Sequence, residues 1–182
     1  MRLMVTGGAG FIGSTFVRRR LASTADHLTI IDKLTYAGNL SNLEEVNEDP
    51  ATRDRVRFVR GDIADAALVR ELAHECDAIV NFAAESHVDR SILDPTAFLR
   101  TGVLGVHALL EAAREERVER GPNASFRFLQ VSTDEVYGPV LAGLSTEDDP
   151  LRPSSPYSAA KAAGEHLVNA YHETYGLDVV IT

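Results

Sequence analysis

A single cysteine, Cys76, occurs in the 182 residues, so no disulfide can close within the chain and a reducing compartment is expected. Its neighbours Glu75 and Asp77 carry charges that raise a thiol pKa, which makes Cys76 a packing residue rather than a nucleophile. No apolar run approaches membrane-spanning length, and glycine follows Met1-Arg2-Leu3-Met4-Val5-Thr6 too soon for a signal peptide. The expected location is the cytoplasm, with no membrane partner. Positive charge is scarce: 18 Lys and Arg stand against 27 Asp and Glu, a formal net charge of −9. So acidic a surface repels phosphate backbones and excludes nucleic acid as an expected partner. An anionic ligand then needs backbone donors or a local cation. Internal repeats and low-complexity tracts are missing, and no metal site is expected. What is present, 45% hydrophobic and 25% charged residues, suits one globular domain over residues 1–182 with its own core.

Short apolar runs alternate with longer helix-period stretches, the pattern of βα units around a parallel sheet. Strands are expected at Leu3–Thr6, Leu28–Ile31, Val56–Val59, Ala78–Phe82, Phe126–Val131 and Val179–Ile181. Their unbroken apolar character predicts burial on both faces. Helices are expected near Ile12–Ala22, Ala66–His74, Thr96–Glu116 and Ala159–Tyr175. In the third, Leu99, Val103, Val106, Leu110 and Ala113 fall at three- and four-residue steps and form one apolar stripe. Tyr36–Arg55 reads as a long surface excursion and Leu141–Pro156 as a second loop. The fold class is α/β, a doubly wound six-stranded parallel sheet of Rossmann type with helices on both faces.

After the first strand comes Thr6-Gly7-Gly8-Ala9-Gly10-Phe11-Ile12-Gly13. Both Gly8/Gly10/Gly13 and Gly7/Gly10/Gly13 satisfy dinucleotide-binding spacings, in which glycines permit a tight turn and close approach to a pyrophosphate. The following helix offers free N–H groups to the phosphates. Asp32 ends the second strand, 19 residues after Gly13. A carboxylate there accepts hydrogen bonds from ribose hydroxyls and repels a 2′-phosphate, which favours NAD over NADP. Asp62, in Gly61-Asp62-Ile63, either reaches an adenine amino group or caps a helix. Asn81-Phe82-Ala83-Ala84 leaves room for a flat ligand at the carboxyl edge of the sheet.

Tyr157-Ser158-Ala159-Ala160-Lys161 puts a phenol and an ammonium on one helical face. A neighbouring cation stabilises the phenolate, so Tyr157 is expected to take a hydroxyl proton near neutral pH. The pair follows Ser132-Thr133-Asp134-Glu135-Val136-Tyr137-Gly138 at the end of the fifth strand. As a bare dipeptide, Asp134-Glu135 could be a solvated loop pair. His87 could equally be structural.

In this order the motifs resemble the extended short-chain dehydrogenase/reductase family along the whole chain. Leu34-Thr35-Tyr36-Ala37-Gly38-Asn39, Ala84-Glu85-Ser86-His87-Val88-Asp89-Arg90-Ser91 and the Thr133-Asp134-Glu135 segment are similar to its dTDP-glucose 4,6-dehydratases. The resemblance implies that NAD is held by the glycine loop with Phe11 and Ile12, and by Asp32, Lys33, Leu34, Thr35, Ala37 and Gly38. Further cofactor contacts are implied for Asp62, Ile63, Phe82, Ala83, Ala84, Ser86, Thr101, Val131, Tyr157 and Lys161. It implies a nucleotide-sugar substrate met by Ser86, His87, Thr133, Asp134, Glu135 and Tyr157. In the implied reaction Tyr157 deprotonates the 4-hydroxyl as hydride leaves C4, and Thr133 hydrogen-bonds that hydroxyl. Glu135 then removes the C5 proton, Asp134 protonates the departing C6 hydroxyl, and hydride returns to C6 to give a 4-keto-6-deoxy sugar. Two adjacent carboxyl groups suit a paired base and acid. Epimerases of the superfamily carry small or hydroxylic residues at these two positions, so an epimerase or decarboxylase is the next reading, and a non-catalytic NAD-binding module the third. The nucleobase, dTDP or UDP, is left open. Gly102 departs from the family's usual Asn and costs about 1 kcal/mol of helix propensity against Ala. The sequence ends on a strand at Thr182 and is expected to be truncated, without the family's carboxyl-terminal substrate region. Helices 96–116 and 159–175 are implied to pair in a homodimer.

Overall fold

The computed structural model describes residues 1–121, 124–140 and 142–182. Six parallel strands form one sheet: β1 (Arg2–Thr6), β2 (His27–Asp32), β3 (Val56–Arg60), β4 (Ala78–Asn81), β5 (Arg127–Gln130) and β6 (Asp178–Ile181). Their spatial order is β3-β2-β1-β4-β5-β6. The chain winds outward from β1 in both directions, and a crevice opens at the carboxyl ends of β1 and β4 where the direction changes.

Residues alternate across the sheet, so its two faces feed two cores. Leu3, Val5, Leu28 and Ile30 face a cluster with Val17 and Leu21 of helix α1 (Phe11–Ser23). Met4, Ile31, Ile79 and Phe128 face the other cluster, with Leu72 of α3 (Ala66–His74), Leu109 and Leu110 of α6 (Val106–Glu119) and Val168 of α7 (Pro156–Tyr175). Burial on both faces explains the unbroken apolar runs of the central strands. At the two sheet edges β3 and β6 depart from it, because Arg57, Arg60 and Val180 are exposed.

Across the carboxyl ends runs a ladder of buried polar side chains. Asn81 Nδ2 donates to Gln130 Oε1 at 2.8 Å, Thr6 Oγ1 donates to Asn81 Oδ1 at 2.5 Å, and the Ala83 N–H donates to Thr6 Oγ1 at 3.1 Å. Every polar group in this floor is paired, as burial demands.

Three sequence expectations change. The 36–55 excursion contains α2 (Glu44–Glu48) between two 3₁₀ turns, and Leu43 and Val46 pack into the α1-side core. The expected helix 96–116 is three pieces: α5 (Pro95–Leu99), a π-helical segment Arg100–Gly105, and α6. A π turn holds more residues than an α turn and so rotates what precedes it. Val106, Leu110 and Ala113 stay in the core, whereas Leu99 is 50% exposed and Phe98 takes the buried place at 4%. Finally, α7 begins earlier than expected. Ser155 accepts from Ser158 N while Ser158 Oγ accepts from Ser155 N, a reciprocal cap with Pro156 in the first turn. In the loop before α7, Leu141 lies outside the described residues. No helix among the described residues is long and apolar enough to cross a membrane.

Candidate active site

β1 delivers the chain into a left-handed turn at Gly7, φ +65°. A side chain is barred there, since a Cβ would stand 2.7 Å from the Ala83 nitrogen. Gly10 heads α1 with no side-chain cap, which leaves the N–H groups of Phe11, Ile12 and Gly13 without intrahelical partners. Gly7, Gly10 and Gly13 line the wall of a cleft of about 460 Å³, a usual size for a small-molecule site. Gly8 does not line it; a Cβ there would meet Ile30 Cγ2 at 2.6 Å, so this glycine serves sheet packing. Of the two glycine spacings, the one through Gly7 describes the cleft.

Asp32, buried at the end of β2, accepts from Ala9 N at 3.0 Å and from Leu34 N at 2.8 Å. Lys33, Thr35, Ala37 and Gly38 continue the wall. Leu34 does not: at φ 56° its side chain turns into the α1-side core. Beyond β3, Asp62 and Ile63 line the opposite side together with Gly61. Asp62 is not a helix cap, because Asp65 fills that place for α3. Asp62 Oδ1 accepts from Ala64 N at 3.0 Å, and Oδ2 lies 3.3 Å from both Lys33 Nζ and Arg100 Nε. Burial pushes its pKa up, but the Ala64 N–H and the two cations outweigh this and hold the carboxyl below its ordinary value.

Phe82, Ala83, Ala84, Glu85, Ser86 and His87 follow β4 along the cleft. Tyr36 ties this loop down. Its hydroxyl donates to Ser86 O at 2.6 Å and accepts from Ser86 N at 2.9 Å, while the Arg90 guanidinium stacks 3.8 Å from the Tyr36 ring centre. His87, at φ 75°, heads α4 (Val88–Leu93) and is exposed, so it is no core histidine. Thr101, in the π-helical segment, lines the cleft with a buried hydroxyl. Among the described residues, that hydroxyl is the one fully buried side-chain polar atom without a hydrogen-bond partner.

Val131, Ser132, Tyr157 and Lys161 complete the wall. Thr133 caps the 3₁₀ turn Asp134–Tyr137 by accepting from Glu135 N, and Thr133, Asp134 and Glu135 stand outside the cleft lining, beside Tyr157. Burial raises the Tyr157 pKa; the Thr133 hydrogen bond opposes the rise, and the charges of Glu135 and Asp134 add to it. The expected phenolate stabilisation by Lys161 is not found. The Lys161 ammonium is buried and donates to Val131 O at 2.5 Å, with no hydrogen bond to Tyr157, and burial lowers its pKa to about 8.

Sequence reasoning passed over Ile31, Gly61, Glu85 and Ser132 as lining residues. Gly61, Glu85 and Ser132 lie inside quoted motifs and Ile31 adjoins Asp32, and that placement was the available signal. The cleft offers backbone donors at one helix end, a carboxylate at the end of β2 and the Tyr157 phenol, and just outside its lining a hydroxyl and two carboxyl groups stand beside that phenol. Such a site can hold an extended anionic ligand and move protons at its far end.

The family model described as GDP-mannose 4,6 dehydratase matches residues 4–182. The chain belongs to this family. It is 50% identical to a dTDP-glucose 4,6-dehydratase of Streptomyces niveus, over 100% of the chain and 52% of that protein. A solved dTDP-glucose 4,6-dehydratase of Streptomyces venezuelae, DesIV, with NAD bound, is similar at TM-score 0.89 and 52% identity, over 100% of this chain and 54% of that one. The solved UDP-glucose 4-epimerase of Thermus thermophilus in complex with NAD is similar at TM-score 0.83 and 34% identity, over 100% of this chain and 54% of that one. The chain spans about half the length of the curated relatives it matches.

Proposed function

We propose that residues 1–182 form the NAD-binding half of a dTDP-glucose 4,6-dehydratase. The fit to NAD rests on features of the cleft itself: three free N–H groups at the head of α1, the Asp32 carboxylate, and the unpartnered Thr101 hydroxyl. Phe11, Ile12 and Gly13 would hold the pyrophosphate and Asp32 the adenine ribose, with Asp62 near the adenine and Lys161 near the second ribose. Bound NAD supplies the hydride acceptor and donor.

The observation that carries the reading is the meeting of Tyr157 with Thr133, Asp134 and Glu135 at the carboxyl end of β5. Tyr157 takes the proton of the sugar 4-hydroxyl, which Thr133 holds. With C4 a ketone, the C5 proton becomes acidic and Glu135 takes it. Asp134 protonates the C6 oxygen, which leaves as water. An epimerase needs only the exchange at C4, so the two carboxyl groups favour dehydration over the epimerase and decarboxylase readings. Similarity to dTDP-glucose 4,6-dehydratases along the whole chain supports the same choice. Pairing with a second copy through segments 96–116 and 159–175 belongs to this proposal, and Leu104 of the π-helical segment and Val118 of α6 are exposed nearby.

The test is Glu135→Gln in a chain of the relatives' length. Oxidation at C4 should survive and elimination should slow by about 10²- to 10⁴-fold. Reduced-nicotinamide absorbance should then build up in a single turnover with dTDP-glucose. Formation of 6-deoxy product at the parent rate would sink the assignment of Glu135 and favour the epimerase.

A further inference from the structure

Two buried groups of opposite charge sit one turn apart on α7. Lys161 is 8% and Glu165 7% exposed, and their four-residue spacing puts them on one helical face. They are held side by side on consecutive residues of the chain rather than on each other. Lys161 donates to the Val131 carbonyl, and Glu165 accepts from the Ser132 hydroxyl. Val131 and Ser132 follow β5 and directly precede Thr133, Asp134 and Glu135. The proposed chemistry gives Glu165 no part, yet a buried carboxylate is costly to keep.

We infer that Glu165 is a positioning residue, fixed by Ser132, whose charge keeps the Lys161 ammonium in its buried place against the end of β5. Burial drives Lys161 toward the neutral form, and the charge of Glu165 is what opposes it. The titratable groups around this corner are Tyr157 on α7, Asp134, Glu135 and Tyr137 in the turn after β5, and Glu147, Asp148 and Asp149 in the next loop, which also brings Arg152 against that turn, its N–H donating to Val136 O at 2.9 Å. From the π-helical segment Arg100 is engaged by Asp62, and Thr101 is uncharged. The role of Lys161 toward a cofactor rests on the proposed NAD reading; the pairing of charges does not.

The chain contains only two lysines, Lys33 and Lys161, so carbon-13 lysine labelling gives two side-chain signals. Lys33→Arg assigns them, and Lys33 then serves as the internal reference. In the parent, Lys161 should titrate near pH 8. In Glu165→Gln its midpoint should fall by about one pH unit, while Glu165→Asp, which keeps the charge one methylene farther back, should fall less. If the glutamine variant does not fold by circular dichroism, the aspartate variant carries the test. A folded variant in which Lys161 titrates as in the parent overturns the inference. Calorimetric NAD affinity against pH forms the second arm. It should weaken as pH rises through the Lys161 midpoint, and that break should move with the variant. A moved lysine midpoint with an unmoved affinity break upholds the role of Glu165 and counts instead against Lys161 as a cofactor contact.

Discussion

Asp32 shows how much a single residue can do at a strand end. Its carboxylate accepts two backbone N–H groups and so shapes the loop that also carries Lys33 and Thr35. The same oxygens retain lone pairs for a ligand diol. The chain is expected to prefer NAD to NADP, and Asp32→Ala to weaken NAD binding by about 1.5–3 kcal/mol per lost charge-assisted bond. Calorimetric titration with both cofactors reads this, and equal affinities in the parent would remove the assignment. Asp32 was legible because its place is set by sequence order: last in its strand, a fixed distance past the glycine loop. The Lys161 ammonium was not. Spacing puts Tyr157 and Lys161 on one face, but a long side chain chooses its partner from tertiary neighbours, and here it found the Val131 carbonyl. Cys76 was read correctly in direction, its thiol pushed up to about 11, although burial rather than its acidic neighbours is the main cause.

Among the elements, the central strands were legible because burial on both faces leaves an unbroken apolar run, and α3 because Val69, Leu72 and Ala73 keep helical spacing. The segment 96–116 misled because periodicity assumes a constant turn, and the π-helical piece breaks it. Gly102 lies in that piece, facing α7. A Cβ there would stand 3.1 Å from Ala160 Cβ and 3.2 Å from the Ala160 carbonyl oxygen, while a Cβ at Gly164 would lie 3.0 Å from Gly102 O. The glycine that looked like a helix defect is therefore a close crossing of two helices. Gly102→Ala gains about 1 kcal/mol in propensity but crowds backbone atoms that have little room to yield, at a cost of about 1–3 kcal/mol. The net expectation is destabilisation by about 1 kcal/mol, or about 3 °C in melting temperature. A rise in melting temperature would show that α7 can move aside.

For the molecule as a whole, the exposed Leu104 of the π-helical segment and Val118 of α6 make a prediction about assembly. On the proposed pairing with a second copy, Leu104→Glu should shift sedimentation toward monomer while leaving the circular dichroism spectrum unchanged. A parent that sediments as a monomer at every concentration tested would remove the homodimer from the proposal. Thr101 has a different kind of consequence. A buried hydroxyl with no partner lowers the stability of the ligand-free fold by about 1–3 kcal/mol. Thr101→Val, nearly equal in shape, should raise the melting temperature of the free chain by roughly 3 °C for each kcal/mol recovered. It should also shrink the further rise that NAD produces by mass action. Robustness at rest and responsiveness to ligand would then be set against each other at one side chain, and a sequence selected for heat tolerance alone would lose this threonine early.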